Sequence, residues 1–145
     1  MDLEEKLVLI KRPPTEEIIT ERELRKLLET NGKPEHYIGF EISGLLHVGN
    51  FLLSVYKVND FAEVGANCKI YLADWHSFLN NKMGGIWENI LAAAKYYEEA
   101  FKFMCPKATI ILGSKLYAGN DQYWRDFVRF SKNMTLARSI RCLTI

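Results

Sequence analysis

The chain has 145 residues, 48% of them hydrophobic and 26% charged, with a formal net charge of +1. That length suits about one domain with a real core, and the balanced charge excludes a polybasic nucleic-acid binder or a disordered acidic chain. The apolar runs fall short of the roughly 20 residues that span a bilayer, Met1-Asp2-Leu3-Glu4-Glu5-Lys6 is too acidic for a secretory leader, and Cys68, Cys105 and Cys142 have neither zinc nor disulfide spacing. They read as reduced, mostly buried thiols of a cytoplasmic protein.

Along the chain, Leu3 to Lys11 predicts a short helix stopped by Pro13-Pro14. Thr20, followed three residues later by Glu23, is a capping-box pattern that predicts a helix through Leu28, ended by Asn31-Gly32-Lys33-Pro34. His36 to Ile42 predicts the first core strand, apolar on both faces except at Tyr37 and Glu41, which share parity and therefore one side. A glycine-containing turn leads from it into a helix whose Phe51, Val55, Val58 and Ala62 form one apolar stripe, capped by Gly65. Asn67 to Ala73 predicts the second strand. Ile86 to Met104 predicts a long helix with Ile90, Ala94, Tyr97, Phe101 and Met104 on one face, a stripe that reads as core packing. Pro106 ends it, Ala108 to Leu112 is a third β run, and further helices follow Asn120 and Thr135. From Arg125 to Arg141 five basic residues stand against the single acid Asp126. Such a face contacts phosphates or is simply solvated.

The order β-α-β-α-β predicts an α/β fold with a parallel sheet and right-handed crossovers, whose ligands sit at the carboxyl ends of the strands. Glu41 through Gly49, Ala73 to His76, and Gly113-Ser114 all fall at those ends. The run Tyr37 to Asn50 reads as strand, turn and helix start, which puts His47 and unpaired backbone N–H groups at a helix N-terminus. That is an anion site, and a nucleotide phosphate is its natural ligand. His-x-Gly alone is a weak signal, and an ordinary N-cap neighbour is the plainer reading of the tripeptide.

The longer stretch Tyr37-Ile38-Gly39-Phe40-Glu41-Ile42-Ser43-Gly44-Leu45-Leu46-His47-Val48-Gly49-Asn50 resembles the HIGH region of class I aminoacyl-tRNA synthetases, most closely the archaeal and eukaryotic tyrosyl type. Three further segments carry the same resemblance: Tyr71 to Asn80, Gly113-Ser114, and Tyr123-Trp124 with Ser131 to Ile145. It runs from about Ile10 to Ile145. One departure is Asn50, where the motif has its last histidine.

The resemblance implies the N-terminal portion of a Rossmann-like parallel sheet with flanking helices, with residues 1–35 a helical segment and 36–145 the first half of a catalytic domain. It implies ATP with Mg2+ as substrate, bound at Ile42, Ser43, Gly44, Leu45, Leu46, His47, Val48, Gly49 and Asn50, with His47 and Asn50 catalytic. Gly49 leaves room for adenine. Tyrosine is implied at Tyr37, Gly39, Glu41, Ala73 and His76, where a hydroxyl partner can reject phenylalanine by roughly 10⁴–10⁵. It also implies tRNA(Tyr) as a partner, a homodimer for the complete enzyme, no membrane, no metal site and no prosthetic group. Taken singly, Tyr37 reads as a half-buried strand aromatic, Glu41 as a surface acid and His76 as a structural histidine.

No KMSKS-like run occurs in these residues, so the 145 residues alone are expected to be weakly active or inactive. Two other classes stay open. A non-catalytic synthetase-derived module binds nucleotide, RNA or a partner without turnover. A small HxGH nucleotidyltransferase carries a second Ser/Thr–Arg signature, of which Thr135-x-x-Arg138 is a loose echo.

Overall fold

In the computed structural model, which describes residues 1–143, three parallel strands lie in the order β1-β2-β3, with β1 at Glu35–Phe40, β2 at Asn67–Leu72 and β3 at Thr109–Leu112. The register pairs Tyr37 with Lys69, Gly39 with Tyr71, and Tyr71 with Ile111. The β-α-β-α-β reading is therefore correct, and the two crossover helices are α3 (Val48–Glu63) and α5 (Trp87–Met104).

Strand parity divides the sheet. Cys68, Ile70 and Leu72 are buried with Val55 and Val58 of α3 and Ile90, Ala94, Tyr97 and Phe101 of α5, and Ile38 and Phe40 pack against them. Both crossovers thus cover one face, as right-handed connections between adjacent strands taken in sequence order require. Burying these side chains is the main favourable term of the fold, at about 1.5–3 kcal/mol for each large apolar residue. Odd-numbered positions take the other face, where Tyr37 is 77% exposed.

The N-terminal segment has a small core of its own. α1 (Leu3–Lys11) and α2 (Glu21–Thr30) bury Leu7, Ile10 and Leu28 with Val64, and Phe61 packs against both clusters. Thr20 accepts the Glu23 N–H as the capping pattern predicts, and Asp2 forms a reciprocal box with Glu5 that the sequence reading did not anticipate. Asp60 of α3, only 3% exposed, takes hydrogen bonds from Arg12 and Lys57. Lys57 Nζ also donates to the Ile10 and Arg12 carbonyls at 2.9 and 3.1 Å, closing the C-terminal end of α1.

The strands are shorter than predicted. β1 stops at Phe40 instead of Ile42, and β2 at Leu72 instead of Ala73. The chain turns because Ala73 caps a short helix, α4 (Asp74–Leu79), that periodicity could not reveal in six residues. Cys68 and Cys105 are buried as expected, while the side chain of Cys142 lies outside the description.

Of the described residues, 114–143 belong to a separate unit from residues 1–113. Here α7 (Asp121–Asn133), capped by Asn120, and α8 (Leu136–Leu143) follow the predicted positions, after a short α6 (Gly113–Tyr117). Trp124 Nε1 donates to the Tyr117 carbonyl at 3.1 Å and Tyr117 stacks on Tyr123. No residue of α7 is buried. Among the described residues no helix is long and apolar enough to cross a membrane, and no group of side chains could hold a metal ion.

Candidate functional site at the carboxyl end of the sheet

The turn between β1 and α3 is anchored from beneath. Ile42 is fully buried, its N–H donates to Ser77 Oγ at 2.7 Å, and Ser77 Oγ donates to the Ala73 carbonyl at 2.8 Å. The Tyr97 hydroxyl meets the Ser43 backbone, although burial pushes that hydroxyl above its usual value. Gly44 has φ +147° with open space around it, so its conformation, not crowding, demands glycine. Leu45 and Val48 face solvent.

His47 is the N-cap of α3 and its side chain makes no capping hydrogen bond. Its backbone carbonyl accepts from Phe51. The first-turn N–H groups of α3 therefore receive no side-chain hydrogen bond from their N-cap residue, which an N-cap oxygen usually supplies. A Cβ on Gly49 would lie 3.8 Å from His47 Nδ1, an ordinary van der Waals contact, so the ring itself does not require glycine there. Asn50 is exposed on the first turn of α3.

The residues implied for an amino acid divide into two groups. Tyr37 and Gly39 stand on the open face of β1, where Tyr71 leans toward Gly39, its Cδ1 being 3.7 Å from a Cβ built there. Glu41 and His76 meet near the strand's exit, with His76 Nε2 3.7 Å from Glu41 Oε1. Ala73 caps α4 and donates its N–H to the Phe40 carbonyl at 2.8 Å, which brings α4 against β1. α4 is also held by Trp75 and Phe78, which pack on Trp87 at ring separations of 5.1 and 5.7 Å.

Several residues of this region were given no role by the sequence, although it placed Asp74 and Gly113 at the strand ends. Ser77 and Asp74 are fully buried, and Asp74 Oδ1 accepts the Trp75 N–H at 2.8 Å. Gly113 is where β3 ends: a Cβ there would meet Tyr71 Oη at 2.5 Å and Asp74 Oδ1 at 2.8 Å, so only glycine fits. Asn80 and Lys82 reach Glu41. The sequence signal for this group was the polar content of Asp74 to Lys82 directly after a strand.

A parallel sheet with both crossovers on one face, and a strand–turn–helix junction at its carboxyl end, is a Rossmann-like arrangement. The family model for class I tRNA synthetases (W and Y) matches residues 29–144, and the chain belongs to that family. It is 43% identical to the tyrosine–tRNA ligase of Thermococcus kodakarensis and 46% identical to tyrosine–tRNA ligase 1 of Pyrobaculum aerophilum, aligning in full with each. It spans 40% and 41% of those relatives' lengths. Among solved structures, the tyrosyl-tRNA synthetase of Archaeoglobus fulgidus, complexed with L-tyrosine, matches at TM-score 0.81 and 38% identity, over 97% of this chain and 44% of that one. The Pyrococcus horikoshii enzyme, also complexed with L-tyrosine, matches at TM-score 0.79 and 38% identity, over 97% and 40%.

Proposed function

We propose that this chain carries the ATP-facing turn and the first wall of the tyrosine pocket of a tyrosine–tRNA ligase. One observation carries the reading: Tyr37 and Gly39 on β1, and Glu41 just past its end, lead directly into the turn at residues 42–50, whose helix N-cap, His47, makes no side-chain capping bond. An aromatic amino acid on the strand and a phosphate at the turn would then be neighbours.

In this reading ATP arrives with Mg2+ as substrate. The tyrosine carboxylate attacks the α-phosphorus, the bond to the bridging oxygen breaks, and pyrophosphate leaves. His47 and the first N–H groups of α3 donate to the phosphoryl oxygens, Asn50 supports them, and residues 42–49 shape the nucleotide cradle. Such preplaced donors stabilise the charge that develops in the transition state. The 3′ hydroxyl of tRNA(Tyr) then takes the tyrosyl group, releasing AMP. Tyr37 and Glu41 face the substrate's polar groups while Ala73 and His76 wall the pocket. Residues 1–35 serve as a helical support and 36–145 as the first half of the catalytic domain. A cytoplasmic, homodimeric complete enzyme fits the same reading.

The likeness to two tyrosine-bound synthetases supports tyrosine over tryptophan, the other substrate of the matched family. Calorimetry with tyrosine, tryptophan and phenylalanine tests the choice. Tyrosine is expected to bind tightest, and equal or tighter tryptophan binding would overturn the assignment.

A further inference from the structure

Three side chains from α4 and the 3-10 turn after it (Lys82–Gly85) converge on one carboxylate. Asn80 Nδ2 donates to Glu41 Oε1 at 2.7 Å, Lys82 Nζ lies 3.3 Å from Oε2, and His76 Nε2 is 3.7 Å from Oε1. The Asn80 amide also lies 3.0 Å from His76 Nε2.

The backbone is bent to make this meeting. Asn81 and Met83 both have φ 53°, and Gly84 and Gly85 follow at 76° and 68°. Left-handed conformation at two residues with side chains is uncommon. Asn81 turns the chain directly after α4 and ahead of Lys82, whereas Met83, Gly84 and Gly85 turn it beyond Lys82. The Ser77–Ile42 hydrogen bond and the packing of Trp75 and Phe78 on Trp87 hold α4 in place behind it.

We propose that Asn80 and Lys82 are positioning residues for Glu41, fixing its carboxylate so that the lone pairs they leave free face a donor group of the amino-acid substrate. The inference rests on the tyrosine-site reading for the identity of that substrate, and on the four side chains alone for the positioning. Each carboxylate oxygen accepts two hydrogen bonds, so one direction on each stays open. Burial pushes the Glu41 carboxyl up, and the hydrogen bonds from Asn80 and Lys82 outweigh it, leaving the group below the usual carboxylate range. His76 and Lys82 are the charged or titratable groups that face it.

The test is a carboxyl-carbon NMR titration of the 145-residue chain labelled at glutamate, with Glu41 assigned by its loss in Glu41→Gln. The Glu41 midpoint should rise in Asn80→Ala and in Lys82→Gln, and Lys82→Arg should restore it. Unchanged midpoints in both variants, with wild-type unfolding curves, would overturn the positioning. Tyrosine affinity is measured across pH in the same proteins. It should fall about tenfold in Lys82→Gln, the scale of one charge-assisted hydrogen bond, and its pH profile should move with the Glu41 midpoint. A moved midpoint with unchanged tyrosine affinity would overturn the ligand role. If the wild-type chain binds no tyrosine, the tyrosine reading fails while the Glu41 midpoint still decides the positioning.

Discussion

The two faces of one three-stranded sheet behave as different materials. On the even-numbered face, Ile70 and Leu72 are buried under α3 and α5, and Phe101 contacts Phe40 and Phe51 at ring separations of 4.7 and 5.0 Å. On the odd-numbered face stand Tyr37, Gly39, Lys69 and Tyr71, with Tyr37 open and Lys69 paired to Glu35 at 2.7 Å. Because side chains alternate along each strand, one sequence writes both faces residue by residue. The buried face sets stability and the open face carries the candidate chemistry, so substitutions on the two should separate stability from binding.

The largest expected effect is on the buried face. Phe101→Ala should lower unfolding stability by about 3–5 kcal/mol, the cost of an aromatic-sized cavity. A loss under about 1 kcal/mol in denaturant melts would mean that α5 does not bind the sheet as described. Next comes the junction with the N-terminal helices. Asp60→Ala leaves Lys57 without its carboxylate and should cost about 3 kcal/mol, as for other broken buried pairs. In Asp60 burial raises the carboxyl, and the hydrogen bonds from Arg12 and Lys57 outweigh it and hold it low. The stability this contributes is present above the ordinary aspartate range and should fade progressively as pH falls from that range through the lowered value.

On the open face the order reverses. Tyr37→Phe should change stability by less than about 0.5 kcal/mol, yet weaken tyrosine binding by about 1 kcal/mol, the net worth of one hydrogen bond. Paired thermal melts and calorimetry check this, and a large stability loss would place Tyr37 in the structural face. The smallest effect belongs to His36, an even-numbered residue at the margin of the core. It stacks on Phe61 with centroids 4.3 Å apart, and its Nδ1 is buried without a hydrogen-bond partner. Burial lowers its pKa below 6.5, so the folded state disfavours the charged ring. Stability should be full above about pH 6.5 and decline as pH falls toward the lowered value. His36→Phe should abolish that decline in denaturant melts run from pH 7 to 5.

The long elements were legible because their apolar residues repeat over several turns or alternate strongly. The stripe at Phe51, Val55, Val58 and Ala62, and the one at Ile90, Ala94, Tyr97 and Phe101, both pack on the sheet. α4 and the left-handed run after it were not legible. Six residues hold too little periodicity, and while Asn81 is of a type that enters the left-handed region readily, Met83 adopts a conformation its residue type does not announce. The turn at His47 was legible as a strand–helix junction, but its support by Ser77 and Tyr97 depends on contacts 35 or more residues away in sequence. Glu41 and His76 could be named from the sequence, whereas Asn80 and Lys82 reach Glu41 only because the chain folds back.

In the proposed reading, the open face of β1 and the exit to the turn form one amino-acid site. Amide chemical-shift mapping of the ¹⁵N-labelled chain during titration with L-tyrosine tests it most directly. Saturable shifts are expected at Tyr37, Gly39, Glu41, Ala73 and His76, weaker or absent with L-phenylalanine. Shifts confined to residues 114–143, or none at any of these five positions, would contradict it.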